Sequence, residues 1–107
     1  MKQNKVLGLL GLATRANKIV AGTDQVLNAL KSKSLKMVFL ANDVSEKTFD
    51  KINRKCYFYH IPLHIKFNTN ELSHATGKPG RKIIGITDDN FYQAIMNELE
   101  RGDLYEG

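Results

Sequence analysis

The chain has 107 residues, 42% hydrophobic and 25% charged, with a formal net charge of +5 and a pI ≈ 9.4. That length supports one core, so a single domain over 1–107 is expected, and the composition excludes global disorder. The positive balance favours an anionic partner without naming it, and a lone cysteine, Cys56, excludes an intrachain disulfide and fits a reducing compartment.

Val6, Leu9, Leu10 and Ala13 recur at helical spacing and predict a first helix over 2–16, with Gly8 and Gly11 marking close contact with a neighbour. These apolar residues are interrupted by Gly8, Gly11 and Arg15, so neither a signal peptide nor a membrane span fits, and a cytoplasmic location is expected. Asn17 suits a left-handed residue after the helix. Ile19, Val20 and Ala21 predict a short strand, and Thr23 is placed to cap a second helix with Val26, Leu27 and Leu30 inward. The run from Met37 to Ala41 has no polar residue and reads as a strand covered on both faces. Ser45 is placed to cap a third helix whose inner face carries Phe49, Ile52, Cys56 and Tyr59.

The period then changes to two. Ile61, Leu63, Ile65 and Phe67 alternate with Pro62, His64 and Lys66, which predicts a half-buried edge strand over 61–67. Asn70 is taken as the cap of a short fourth helix stopping at Gly77. Ile83, Ile84 and Ile86 predict another strand. Asp88 or Asp89 starts a last helix with Phe91, Ile95 and Leu99 inward, and the tail over 101–107 is expected to fray. Strands alternating with helices in this order imply a three-layer α-β-α sandwich around a mixed four-stranded sheet.

Most catalytic chemistry is unsupported. His60 and His64 stand four apart, but Pro62 between them and the period of two prevent both from facing one metal from a helix. Gly77-Lys78 lacks the surrounding residues of a phosphate-binding loop, since Leu72 and Pro79 hold the positions that need Gly and Ser or Thr. Asp43, Asp88 and Asp89 are more simply turn and cap residues than catalytic carboxylates. Cys56 belongs to an apolar helical stripe. No metal, cofactor or nucleophile–base pair is implied, and the chain is not expected to be an enzyme.

Two segments carry chemistry. Gly22, Thr23, Asp24, Gln25 and Asn28 open the second helix, where free N–H groups and the positive helix end make a phosphate site and amide side chains can read base edges. Lys18, Lys31, Lys33 and Lys36 are nearby cations in sequence. The second segment is Gly77, Lys78, Pro79, Gly80 and Arg81. Pro79 stiffens it and extends Lys78, the glycines permit close approach, and Lys78 and Arg81 supply charge. Read structurally, the same residues make a capped helix with a solvated polar face and a basic turn.

With these residues in view, the chain resembles the kink-turn RNA-binding ribosomal proteins of the L-seven-Ae and L-thirty-e type, and most closely their small bacterial members. The likeness spans 7–91. It rests on Leu12-Ala13-Thr14-Arg15-Ala16-Asn17-Lys18-Ile19-Val20-Ala21-Gly22 leading into Thr23-Asp24-Gln25, on Met37-Val38-Phe39-Leu40-Ala41-Asn42-Asp43, on Lys55-Cys56 followed by Ile61-Pro62-Leu63, and on Glu71-Leu72-Ser73-His74-Ala75-Thr76-Gly77.

The resemblance implies a monomeric α-β-α sandwich that binds sharply bent, structured RNA, ribosomal or otherwise kink-turn-containing, with the ribosome or translation factors as further partners. It implies that Gly22, Thr23, Asp24, Gln25 and Asn28 read guanines of sheared G·A pairs. Gly77, Lys78, Pro79, Gly80 and Arg81 would cover an extruded nucleotide, with Lys18 and Lys31 supplying charge. The family commonly has Asn, Glu and Lys where this chain has Asp24, Gln25 and Asn28, and Gly where it has Ser73. An ionised Asp24 only accepts hydrogen bonds, whereas Asn also donates. These departures leave open a protein–protein adaptor in translation or ribosome assembly with weakened RNA affinity.

Overall fold

The computed structural model of the protein describes residues 4–106, with side chains described over 4–101. Helices and strands alternate: α1 (Lys5–Arg15), β1 (Ile19–Ala21), α2 (Thr23–Lys31), β2 (Met37–Leu40), α3 (Glu46–Phe58), β3 (Leu63–His64), α4 (Thr69–Thr76), β4 (Ile83–Ile86) and α5 (Asp89–Glu106). The strands form one mixed sheet in the order β1-β4-β2-β3. β4 runs antiparallel to both β1 and β2, while β3 pairs parallel with β2.

Alternation along the strands sorts the core into two layers. Met37, Phe39, Ile84 and Ile86 face one side, where they pack with Leu10 and Ala13 of α1, Leu72 of α4 and Ile95 of α5. Val38, Leu40 and Ile83 face the other, packing with Val26 and Leu30 of α2 and Ile52 and Cys56 of α3. Every residue of β2 and β4 is buried, which is why both read as continuous apolar runs. The three-layer sandwich follows.

Local signals were mostly legible, with instructive exceptions. Asn4 caps α1, accepting from the N–H groups of Val6 (2.9 Å) and Leu7 (3.2 Å), while the expected start at Lys2 lies outside the described residues. Asn17 is left-handed (φ 62), and Ser45 caps α3 by accepting from Thr48 N–H. The cap of α4 is Asn68 rather than Asn70. Glu71 stands three residues on, and the two side chains close a reciprocal capping box that Asn70 has no partner to make. β3 is two residues rather than seven. Pro62 donates no bond there, Ile65 is exposed, and the chain is held instead by Val38 N–H to Pro62 O (2.9 Å) and Asn42 N–H to Phe67 O (2.9 Å). α5 is helical through Glu106, where a frayed tail was expected; extending an existing helix fixes one residue per added bond, a small cost.

The two glycines of α1 differ in their surroundings, and this gives a prediction. A Cβ at Gly8 would meet nothing within 4 Å, whereas one at Gly11 would lie 2.9 Å from the backbone oxygen of Ala75 in α4. Gly8→Ala should therefore stabilise by about 0.5–1 kcal/mol through helix propensity alone. Gly11→Ala should destabilise by about 1–3 kcal/mol because α4 must move away. Urea midpoints of the two variants test this, and a shift of the same sign in both would refute the close α1–α4 approach.

Candidate nucleic-acid interface

Topology brings the two candidate segments together at one end of the strands. Ala21 at the end of β1 pairs with Ile84, and Leu40 at the end of β2 pairs with Ile83. The chain leaving β1 for α2 and the chain entering β4 from α4 therefore meet. Gly22 N–H donates to Ile83 O at 3.0 Å, fixing the start of α2 against the start of β4.

The cap of α2 is Gly22, not Thr23, which is the first helical residue. Gly22 has φ 103 and ψ 152, a conformation that L side chains avoid, and Thr23 is carried past the point where its hydroxyl can cap. Among the described residues no side chain caps α2, so its first N–H groups receive no side-chain acceptor there. By contrast Asn4, Ser45 and Asn68 cap α1, α3 and α4, and Asp88 accepts from Phe91 N–H at 3.0 Å. The positive end of α2 is thus open to an external acceptor. Thr23, Asp24, Gln25 and Asn28 are all exposed around it.

The loop after α4 is shaped for contact. Gly77 ends α4 in the left-handed conformation (φ 67). Arg81 N–H then donates to Lys78 O at 3.4 Å, closing a turn with Pro79 second and Gly80 (φ 72) third, the residue pattern of a type II turn. Lys78, Pro79, Gly80 and Arg81 are exposed. A Cβ built on Gly22 would lie 2.8 Å from Gln25 Oε1 and 3.0 Å from Arg81 Nη1. The amide of Gln25 and the guanidinium of Arg81 therefore both lie over Gly22. One surface carries an open helix end, an amide and a rigidly delivered cation, which suits phosphate and base-edge contacts.

The other cations are elsewhere. Lys18 precedes β1 at the opposite end of the strands, where its carbonyl accepts from Thr87 N–H (3.0 Å), about 13 Å along the strand from Gly22. Lys31 closes α2, about 12 Å along the helix from Thr23. Lys33 follows it, and Lys36 pairs with Asp89 at 3.4 Å. Sequence proximity had grouped these lysines with the helix start, but β1 separates Lys18 from it, and α2 runs back across the sheet and carries Lys31, Lys33 and Lys36 away.

A family model described as the ribosomal protein L7Ae/L30e/S12e/Gadd45 family matches residues 4–96. The chain belongs to this family. It is 37% identical over 98 residues to the RNA-binding protein YlxQ of Enterococcus faecium, covering 92% of this chain and 94% of that one. To the RNA-binding protein YlxQ of Bacillus subtilis (strain 168) it is 34% identical over 92 residues, covering 86% and 92%. Among solved structures, a protein of unknown function from Bacillus halodurans C superposes with a TM-score of 0.86 at 34% identity, covering 92% of this chain and 99% of that one. The Giardia lamblia 15.5kD RNA binding protein superposes with a TM-score of 0.74 at 15% identity, covering 94% and 92%, a likeness of fold.

In this family member the discounted groups have structural work. Asp43 Oδ1 accepts from Thr69 Oγ1 (2.7 Å) and Thr69 N–H (3.1 Å), tying the turn after β2 to the start of α4. Those bonds, the hydroxyl of Thr69 first, hold its carboxyl below the ordinary carboxylate range. Burial pushes the Cys56 thiol up to about 11, so it stays a protonated core residue at neutral pH. Among the described residues no group of His, Cys, Asp and Glu could hold a metal ion, and no helix is long and apolar enough to cross a membrane.

Asp43 gives a pH prediction. Its folded pKa is lowered, so its stabilisation is complete above the ordinary carboxylate range and is lost as pH falls through the depressed value. Asp43→Asn should lower the urea midpoint at neutral pH, and the gap to the parent should close only in acid. A gap independent of pH would exclude the charged Asp43–Thr69 tie as its source.

Proposed function

We propose that the protein is a non-enzymatic RNA-binding protein that recognises structured, kink-turn-like RNA through the start of α2 and the loop after α4. The observation that carries this reading is the convergence of Gln25 and Arg81 over Gly22 at an uncapped helix end. Membership of the family and the names of the YlxQ relatives support RNA as the partner. In this reading Thr23, Asp24, Gln25 and Asn28 face base edges, while Gly77, Lys78, Pro79, Gly80 and Arg81 cover an unpaired nucleotide. Lys18 and Lys31 add attraction without selectivity.

The test is a titration against a consensus kink-turn RNA and a matched RNA lacking the G·A pairs, at two salt concentrations. Tight binding to the intact RNA alone is expected. Equal, salt-labile binding to both would overturn kink-turn selectivity, and no binding to either would overturn RNA as the partner. Gln25→Ala should cost about 1–3 kcal/mol on the intact RNA and little on the control. Lys18→Ala should weaken both alike and reduce the salt slope by about one contact.

A further inference from the structure

The opposite end of the strands holds a second set of groups that this reading leaves unused. α2 and α3 both run back from the first end, and their C-terminal ends converge on a cleft of about 380 Å³. Its apolar floor is Leu30, Leu35 and Ile61, and its rim carries Phe58, Lys33 and His60. Phe58 is 71% exposed and the adjoining Tyr57 is 83% exposed, the two most exposed large hydrophobic side chains of the described residues. Phe58 and Tyr59 meet in a T-shaped contact, with ring centroids 4.9 Å apart at 88°.

Helix geometry explains how the aromatics reach the surface. Tyr57, Phe58 and Tyr59 are consecutive, and successive residues of a helix point about 100° apart. Only Cys56 and the partly buried Tyr59 share the inward face, so Tyr57 and Phe58 must face out. Lys33 and His60 immediately follow the helix caps Ser32 and Tyr59, both left-handed with φ 59. A cation after a helix C-terminus is favourable in itself. That accounts for Lys33 and for His60 when charged, but not for two exposed aromatic rings beside them.

The charge around the cleft selects the occupant. Among the described residues no carboxylate lines it. Arg54 and Lys55 directly precede the aromatics, and the acids of α3, Glu46 and Asp50, are confined to its first half. Lys31 connects the cleft to the exposed face of α2, and that face leads back to Gln25. Exposed aromatic faces ringed by cations suit unpaired bases, which stack on the ring while their phosphates meet the lysines. An apolar peptide would leave those cations unmatched.

We infer that the cleft between the ends of α2 and α3 is a second RNA contact, in which an unpaired base stacks on Phe58 and the flanking phosphates meet Lys33 and Lys55. The inference rests on the reading of the chain as an RNA-binding protein, and it places a single-stranded flank of the bound RNA along α2. Contact at both ends tethers one molecule twice, so the flank adds affinity without altering selection at the first site.

The experiment compares the folded kink-turn RNA with and without an unpaired oligoadenosine extension containing 2-aminopurine, and oligoadenosine alone. In the parent the extension should tighten binding about tenfold and quench the fluorophore. Phe58→Ala should abolish both effects yet bind the RNA without extension as the parent does. Phe58→Tyr should restore them, and Lys33→Gln should reduce the gain and its salt dependence. An extension that adds no affinity in the parent would overturn the inference, as would a Phe58→Ala loss equal on both RNAs. Oligoadenosine bound in a Phe58-dependent way with no binding to the folded RNA would overturn the kink-turn reading and leave the second contact standing. Silence toward every RNA would overturn both.

Discussion

Gly22→Ala is expected to reduce both stability and RNA affinity, through separate causes. The dihedrals of Gly22 (φ 103, ψ 152) lie in a region that only glycine populates freely, so any side chain there strains the backbone by about 1–3 kcal/mol. The added Cβ would also lie 2.8 Å from Gln25 Oε1 and 3.0 Å from Arg81 Nη1. Both are ends of flexible side chains and can swing aside, so the collision adds little to the loss of stability. Swinging aside is the damage to function. Gln25 and Arg81 leave the positions in which they sit over the helix end, and about ten- to hundred-fold in affinity goes with them.

Gly80→Ala is the control for this prediction. Gly80 is also left-handed (φ 72), but a Cβ there meets nothing within 4 Å. It should lose stability to strain without displacing Gln25 or Arg81. Urea unfolding gives the stability of each variant, and titration with kink-turn RNA under conditions where both are folded gives the affinity. If Gly80→Ala loses as much affinity as Gly22→Ala, the loop itself, through its strain or its own contact with the nucleotide, is responsible rather than the displacement of two side chains.

The core could be read from sequence because its signals are short-range. The unbroken apolar runs of β2 and β4 and the helical stripes of α1, α3 and α5 each report burial by spacing alone. The candidate site was legible as two separate segments, since each has its own local chemistry. Their convergence was not legible. It depends on the Gly22–Ile83 bond and on the antiparallel pairing of β1 with β4, which join residues about sixty apart in sequence. The same lack of long-range information grouped Lys18, Lys31 and Lys36 with the helix start, although the lengths of β1 and α2 separate them from it. Two caps were misplaced for a local reason. Thr23 and Asn70 are suitable residue types, but the backbone of Gly22 and the partnership of Asn68 with Glu71 decide the positions. The Tyr57-Phe58-Tyr59 run did hold a readable signal, because three consecutive aromatics on a helix cannot all face one core.

Asp24→Asn should move stability and binding in opposite directions. Asp24 stands exposed in the first turn of α2, where a carboxylate meets the positive end of the helix. Removing that charge should cost about 0.3–1 kcal/mol of stability. Toward RNA the carboxylate is a liability, since it accepts but cannot donate to a guanine O6 and it repels nearby phosphate. Asparagine relieves the repulsion and supplies the donor, so affinity for the kink-turn RNA should rise about tenfold or more. Asp24→Ala separates the two contributions. It removes the charge without adding a donor, so its gain should be equal on intact and control RNAs and should shrink as salt rises. The further gain of asparagine over alanine should appear only on the RNA with intact G·A pairs and should resist salt. If asparagine and alanine tighten binding equally on both RNAs, Asp24 acts only through its charge and the base contact belongs to Gln25 or its neighbours. If asparagine gains over alanine only on the RNA with intact G·A pairs, residue 24 faces the base edge, and the carboxylate that stabilises α2 also limits the affinity of the site.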